Sequence, residues 1–345
     1  MTSRERLLTA IRGGTPDRVP VGPWGLGRLD PDGPLAAELL CRTDPLIDVW
    51  AGDPFLGTAV RVESRQVGSD TVTVIHTPDG PLTQRYRRTH ATGAVVEFFL
   101  KTPRDAERLL SLPYEPPEPD LSQFHWWRER AGDDALILAG LGTAVCLPAS
   151  WFSPEGFCLA WADAPELVEH LAAIASERLN AYVDRLCAAG VDAVRLYGGE
   201  YVTVQLGPAA FEQLVQPFDA ELIRIVHRHG GVVCYHNHGP VSVWLERLAD
   251  LGMDALDPLE APPWGDCDLR DAKRRIGHRV CLIGNLDDME VLDKLPTEEV
   301  RALGRACIEA AGPGGYILGG TTSGTFGERG ARAFIALAEV AEAMA

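Results

Sequence analysis

Between residues 131 and 320 the chain repeats one pattern, in which a stretch of helical periodicity stops near a glycine and a short β-rich apolar run begins within a few residues. The instances are "AGDDALILAG", "AGVDAVRLYG", "HGGVVCYHNHG", "LGMDALDPLE", "IGHRVCLIGN" and "GPGGYILGGTT". Glycines 132, 190, 230, 252, 277 and 312 suit the left-handed backbone that ends a helix and turns the chain into a strand. Amphipathic segments such as "APELVEHLAAIASERLNAYVDRLCAA" separate the runs, and strands joined through such crossovers pair in parallel. Earlier strands near "VPVG" and "PLIDVWAG" bring the total to about eight, which favours a closed (β/α)8 TIM barrel over an open doubly wound sheet.

Residues 59 to 100 follow a different rhythm. There "VRVESRQV", "DTVTVIHT", "LTQRYRRTH" and "AVVEFFLK" alternate as antiparallel strands separated by "PDG" and "ATG" turns. This reads as a hairpin-rich insertion into a single barrel domain spanning residues 1–345, followed by the proline-rich connector "LPYEPPEPD". The opening "MTSRERLLTAIRGG" is a charged amphipathic helix without a signal-peptide core, and no 18-residue apolar segment occurs, so a cytoplasmic protein without membrane partners is expected.

Composition narrows the partners. An apolar share of 46% fits a large buried core, and a formal charge of −17 argues against nucleic acid, whose phosphates need clustered Lys and Arg. The eight cysteines form no CxxC and no tight framework, as expected of buried thiols in a reducing compartment. No GxGxxG, GxxxxGK(S/T) or GxSxG occurs, which removes the standard nucleotide and hydrolase signatures. A small-molecule substrate remains.

In such a barrel the chemistry gathers just beyond the C-terminal ends of the strands. Those positions hold Gly142-Thr143, Tyr197 with Glu200 and Tyr201, His236-Asn237-His238, Asp257 with Glu260, Asn285 with Asp287, and Thr321-Thr322-Ser323. Strand alternation puts Cys234, His236 and His238 on one face and Val233 and Tyr235 on the other. Two imidazoles on one face can hold zinc, with Glu200, Asp257 or Glu260 as a third ligand. They can equally bind a substrate carboxylate or phosphate, or satisfy strand-end carbonyls. Glu200, after the glycine pair of "LYGG", is an acid/base or ligand candidate, and Asp257 is a second. Arg28, in the glycine-rich "GPWGLGRL", is placed to pair with a substrate carboxylate.

The stretches "RERLLTAIRGGTPDRVPVGPW", "AGVDAVRLYGG", "YHNHGPVSVWLERLADLGMDALDPLE" and "GGYILGGTTSGT" resemble the uroporphyrinogen decarboxylase superfamily, which includes the methylcobalamin:coenzyme M methyltransferases. The resemblance implies a (β/α)8 barrel, often dimeric, with its cleft at the strand C-terminal ends. Its decarboxylase branch works without metal, using an arginine-rich motif, reduced here to Arg28, and an aspartate from the region of Asp44, Asp48 and Asp53. Its methyltransferase branch holds zinc through a HxC pair and a later cysteine. The corresponding positions here read His236-Asn237-His238 and "GGTTSG".

Three expectations follow. The first is a carbon-carbon lyase of decarboxylase type on a small carboxylated substrate, with or without a metal, in which His236, His238, Glu200 and Asp257 are catalytic. Arg28, Tyr197, Asn237, Asn285, Thr321 and Thr322 then bind substrate. The second is a zinc-dependent methyltransferase that works with a corrinoid protein and holds zinc through His236, His238 and Glu200. The third is a non-catalytic barrel that binds a small ligand.

Overall fold

The computed structural model describes residues 1–89, 93–321 and 324–345. Twelve strands are found among them: β1 (Val21–Gly22), β2 (Leu46–Trp50), β3 (Val62–Val67), β4 (Asp70–Ile75), β5 (Leu82–Arg88), β6 (Gly93–Glu97), β7 (Leu136–Gly142), β8 (Ala193–Tyr197), β9 (Val232–His236), β10 (Ala255–Asp257), β11 (Cys281–Leu286) and β12 (Tyr316–Gly320). Eight of them form one sheet in the order β1-β12-β11-β10-β9-β8-β7-β2, and all its pairings are parallel. A bridge between Trp24 and Leu46 sets the chain after β1 beside β2 and closes the ring. The fold is the expected (β/α)8 barrel, with long helices such as Pro165–Ala188 and Gln216–Arg228 between strands. No helix among the described residues is long and apolar enough to cross a membrane.

The inside of the ring changes character along its axis. At the strand N-terminal ends Leu46, Leu136, Ala193, Val232, Ala255 and Cys281 fill it, and Leu7, Ala10 and Ile11 of the helix Ser3–Ile11 pack against them from below. This apolar plug is what a barrel without a pore requires. Two residues further along each strand, Asp48, Arg195 and Asp257 occupy inward positions on β2, β8 and β10. The apolar base therefore supports a polar layer.

The hairpin-rich insertion is present among the described residues, where β3 to β6 make an antiparallel sheet in sequence order. Its base is anchored, since Ile75, Leu82 and Phe99 are buried in the main core cluster. Two of the six helix-ending glycines depart from expectation. Gly277 and Gly312 have φ of −64° and −74°. There the constraint is proximity, because an added Cβ would lie 2.5 Å from the Lys273 carbonyl oxygen and 2.8 Å from that of Ile308.

Candidate active site

The polar layer is organised around Arg195, which is fully buried. It lies on β8 with Gly140 of β7 and Cys234 of β9 as its lateral neighbours. One terminal nitrogen donates to Asp48 Oδ2 at 3.2 Å, and the other donates to Asp257 Oδ2 at 2.5 Å. The guanidinium lies over the Trp24 ring, 3.5 Å from its centroid, and 5.1 Å from that of Tyr197. Gly140 makes this packing possible: a Cβ there would stand 2.4 Å from Asp48 Oδ1 and 2.8 Å from the Tyr197 hydroxyl.

His236, at the end of β9, joins the layer through Nδ1, which lies 2.6 Å from Asp257 Oδ2 and 2.8 Å from the Arg195 Nη2. Arg195 has only donors to offer, so the arrangement that satisfies all three groups has both Nη2 and Nδ1 donating to Asp257 Oδ2. That tautomer leaves Nε2 as an acceptor. Burial lowers the His236 pKa and the adjacent guanidinium adds to the effect, against the opposing pull of Asp257. Asp257 is itself driven up by burial, yet Arg195 and His236 outweigh this and hold it below the usual carboxylate range. Asp48 is different. Burial dominates there, and its pKa is pushed up to about 6 in spite of Arg195.

His238 stands one turn of the strand pleat further out, its ring 4.4 Å from that of His236 and perpendicular to it. Its Nδ1 is 3.0 Å from Glu260 Oε1, and the other oxygen of Glu260 accepts from the Gly239 N–H at 2.7 Å. The hydrogen bond to Glu260 raises the His238 pKa, against partial burial. Two neighbouring imidazoles, each on its own carboxylate, are thus driven in opposite directions.

The fold brings His236, His238, Asp257 and Tyr197 together, the Tyr197 ring lying 5.6 Å from that of His236. Glu200 sits on the short helix Glu200–Thr203, close enough for its charge to add to the rise at His238, with Oε2 buried and without a hydrogen-bond partner. Other expected residues lie elsewhere. Asn237 turns from the rings and pairs with Thr203, against a glycine, Gly199, whose added Cβ would be 2.3 Å from its Oδ1. Asn285, on β11, accepts a weak hydrogen bond from Cys307 of the helix Thr297–Ala311 and lines the same small cavity as Glu260 and Thr321. That cavity, of about 100 Å³, is also lined by Trp264 and Asp287. Thr322 lies outside the described residues. Arg28 is 61% exposed in its side chain and pairs with Asp293 at 3.1 Å, so it does not enter the polar layer.

The residues missed from sequence are Arg195 and Trp24, and Asp48 stood only as one of three aspartates in the region to which the resemblance points. A signal for two of them was available in "AVRLY" and "LIDVW", each a charged residue at an alternating position within an otherwise apolar strand.

Zinc does not fit the side chains found. Among the described residues no three His, Cys, Asp or Glu side chains come together in a metal-holding arrangement. Glu200 makes no ion pair with either histidine, and Glu260 is committed to His238 Nδ1 and the Gly239 amide. The donors end at two imidazole Nε2 atoms.

Comparison with known proteins gives a consistent picture. The family model "Uroporphyrinogen decarboxylase (URO-D)" matches residues 84–321. A uroporphyrinogen decarboxylase from Thioalkalivibrio sulfidiphilus is 30% identical over 165 residues, covering 45% of this chain and 43% of the relative. The methylcobamide:CoM methyltransferase MtaA from Methanosarcina barkeri is 25% identical over 182 residues, covering 53% and 52%. A solved methyltransferase from Methanosarcina mazei superposes over the whole of both chains with a TM-score of 0.68 at 18% identity, a likeness of fold. The chain thus spans about half the length of the curated relatives it matches.

Proposed function

Because the chain belongs to the uroporphyrinogen decarboxylase (URO-D) family, in which decarboxylases and corrinoid-linked methyltransferases both occur, we propose that it is an acid–base carbon–carbon lyase of decarboxylase type. His236 and His238 are its catalytic pair and a small carboxylated molecule its substrate. The observation that carries this reading is the opposite bias of two imidazoles 4.4 Å apart, His236 toward the neutral form and His238 toward the charged one. Environments that push neighbouring titratable groups apart assign a base and an acid.

In this reading His236 Nε2 accepts a proton or hydrogen bond from the substrate. The His238 imidazolium first faces the substrate carboxylate and then protonates the carbon left when carbon dioxide departs. Asp257 and Glu260 orient the two rings, and the Glu200 carboxylate is placed to assist the proton's return. Arg195 is already held between Asp48 and Asp257, and Arg28 is held by Asp293. Among the described residues of the site His238, paired with Glu260 but 37% exposed in its side chain, is the cation offered to the substrate, which supports a ligand with one carboxylate rather than many.

The test is carbon dioxide release from a panel of small oxo-acids and aromatic acids. A turned-over substrate should lose roughly 10²–10⁴-fold in rate in His236→Gln and in His238→Gln. Methyl transfer is the second reading, supported by the similarity to the methylcobamide:CoM methyltransferase MtaA. Turnover of methylcobalamin with a thiol, without decarboxylation of any acid in the panel, would replace the first reading with it.

A further inference from the structure

We propose that the small cavity beside Glu260 is a subsite for an apolar ring of the substrate, so that the molecule taken is a single-ring monocarboxylate rather than a short oxo-acid or a polyacid. The carboxylate half of this proposal rests on the reading of His238 as the group that faces it. The cavity, of about 100 Å³, lies at the rim of the barrel where the strands end. Asn285 of β11 and Thr321, directly after β12, form one side, and residues 260–264, shortly after β10, form the other. Glu260 is the wall it shares with the imidazoles, because one oxygen of that carboxylate is 3.0 Å from His238 Nδ1.

Three carboxylates line the cavity, yet each is already engaged. Glu260 holds His238 and accepts from the Gly239 N–H. Asp287 accepts from the Met289 and Glu290 amides and more weakly from the Thr321 hydroxyl, and Glu290 accepts from Lys294. Carboxylates so committed offer little to a ligand, but their charge remains and opposes a second carboxylate. The contact surface left is apolar, with Trp264, Val291, Ala261 and Pro263 as its main parts. Trp264 is 59% exposed on a segment held in shape by its own backbone. The Gly265 N–H donates to the Ala261 carbonyl at 3.2 Å and the Cys267 N–H to that of Glu260 at 3.0 Å. Gly265 has no room for a side chain, since an added Cβ would stand 2.3 Å from the Glu260 carbonyl oxygen. An indole fixed in this way offers its ring to a second ring. An apolar cavity of roughly 150 Å³ holds a whole benzene molecule. The smaller cavity here takes most of one ring and leaves the attached carboxylate outside, toward His238.

The test is fluorine NMR of the full chain carrying fluorotryptophan, with the Trp264 signal assigned by its loss in Trp264→Phe. The probes are toluene, benzoate, isophthalate and pyruvate. Toluene and benzoate should both move the Trp264 signal, benzoate at the lower concentration, and pyruvate should leave it in place. Isophthalate, with its second carboxylate, should bind roughly 10-fold more weakly than benzoate. Calorimetry should show benzoate affinity falling roughly 10-fold in Trp264→Ala, the worth of one aromatic contact, and largely kept in Trp264→Phe. A Trp264 signal unmoved by toluene and benzoate would overturn the proposal. So would isophthalate or pyruvate binding as tightly as benzoate, or benzoate affinity unchanged in Trp264→Ala. Failure of the lyase reading shows separately: benzoate would then bind no more tightly than toluene and lose nothing in His238→Gln, while both still move the Trp264 signal and the ring subsite stands.

Discussion

Asp48 shows how much one side chain of the polar layer is constrained. Its ordinary carboxyl pKa of 3.8 is raised to about 6 by burial, which the attraction of Arg195 only partly offsets. The folded protein therefore binds that proton more tightly than the unfolded chain. Stability contributed at this position is lost as pH rises from the unfolded to the folded value, and the loss is complete above about pH 6. The shift corresponds to about 3 kcal/mol. Asp48→Asn should accordingly gain on the wild type by about that amount between roughly pH 4 and pH 7, as read from urea unfolding at each pH. A difference that does not change with pH would mean that Asp48 is not strained by burial. Arg195 and Asp48 were hard to see in the sequence for a physical reason. A strand that reads as an apolar run is assumed buried, and a charge inside it looks like a solvent-facing interruption until its partners, 147 and 62 residues away, are known. Arg28 misled in the opposite way, because glycine-rich surroundings suggested a ligand where the fold supplies Asp293.

Strands and turns set the geometry in which those side chains meet. The alternation along β9 was legible: Cys234 and His236 face the barrel interior, and Tyr235 faces outward to Asp219 of the helix Gln216–Arg228, its hydroxyl donating at 2.7 Å. The positions after a strand end were less so, since alternation stops where the extended backbone stops. Asn237, the first residue after β9, turns to Thr203 instead of the imidazole rings. The turn after β8 illustrates the coupling. Gly199 lets Asn237 and Tyr235 approach the chain that carries Glu200, and a Cβ there would meet Asn237 Oδ1 at 2.3 Å and Tyr235 Cε1 at 2.8 Å. Gly199→Ala should destabilise the fold by about 1–3 kcal/mol, as overpacking of a tight site does. It should also lower the turnover of any substrate found, because Glu200 and the end of β9 shift together. Unchanged denaturation and rate in that variant would show the turn to be looser than its contacts imply.

At the level of the whole molecule the barrel is the most legible feature, because six repeats of one helix-to-strand pattern and two earlier strands leave few ways to arrange parallel strands. The antiparallel insertion was equally readable from its two-residue alternation. Its relation to the barrel was not, since that depends on Ile75, Leu82 and Phe99 sharing the main core. This sharing predicts one cooperative calorimetric transition for barrel and insertion together, whereas two separated transitions would mean independent units. The metal question also belongs to this scale, because the distance between donors depends on the closure of the ring and no spacing within "YHNHG" reveals it. Above all, one closed ring of strands biases two adjacent imidazoles toward opposite protonation states. Nitrogen-15 NMR of the histidine rings across pH, with signals assigned from His236→Gln and His238→Gln, measures this directly. His236 should remain neutral, with its proton on Nδ1, at pH values where His238 is still protonated. Coincident titration of the two rings, or loss of the His238 proton before that of His236, would contradict the account.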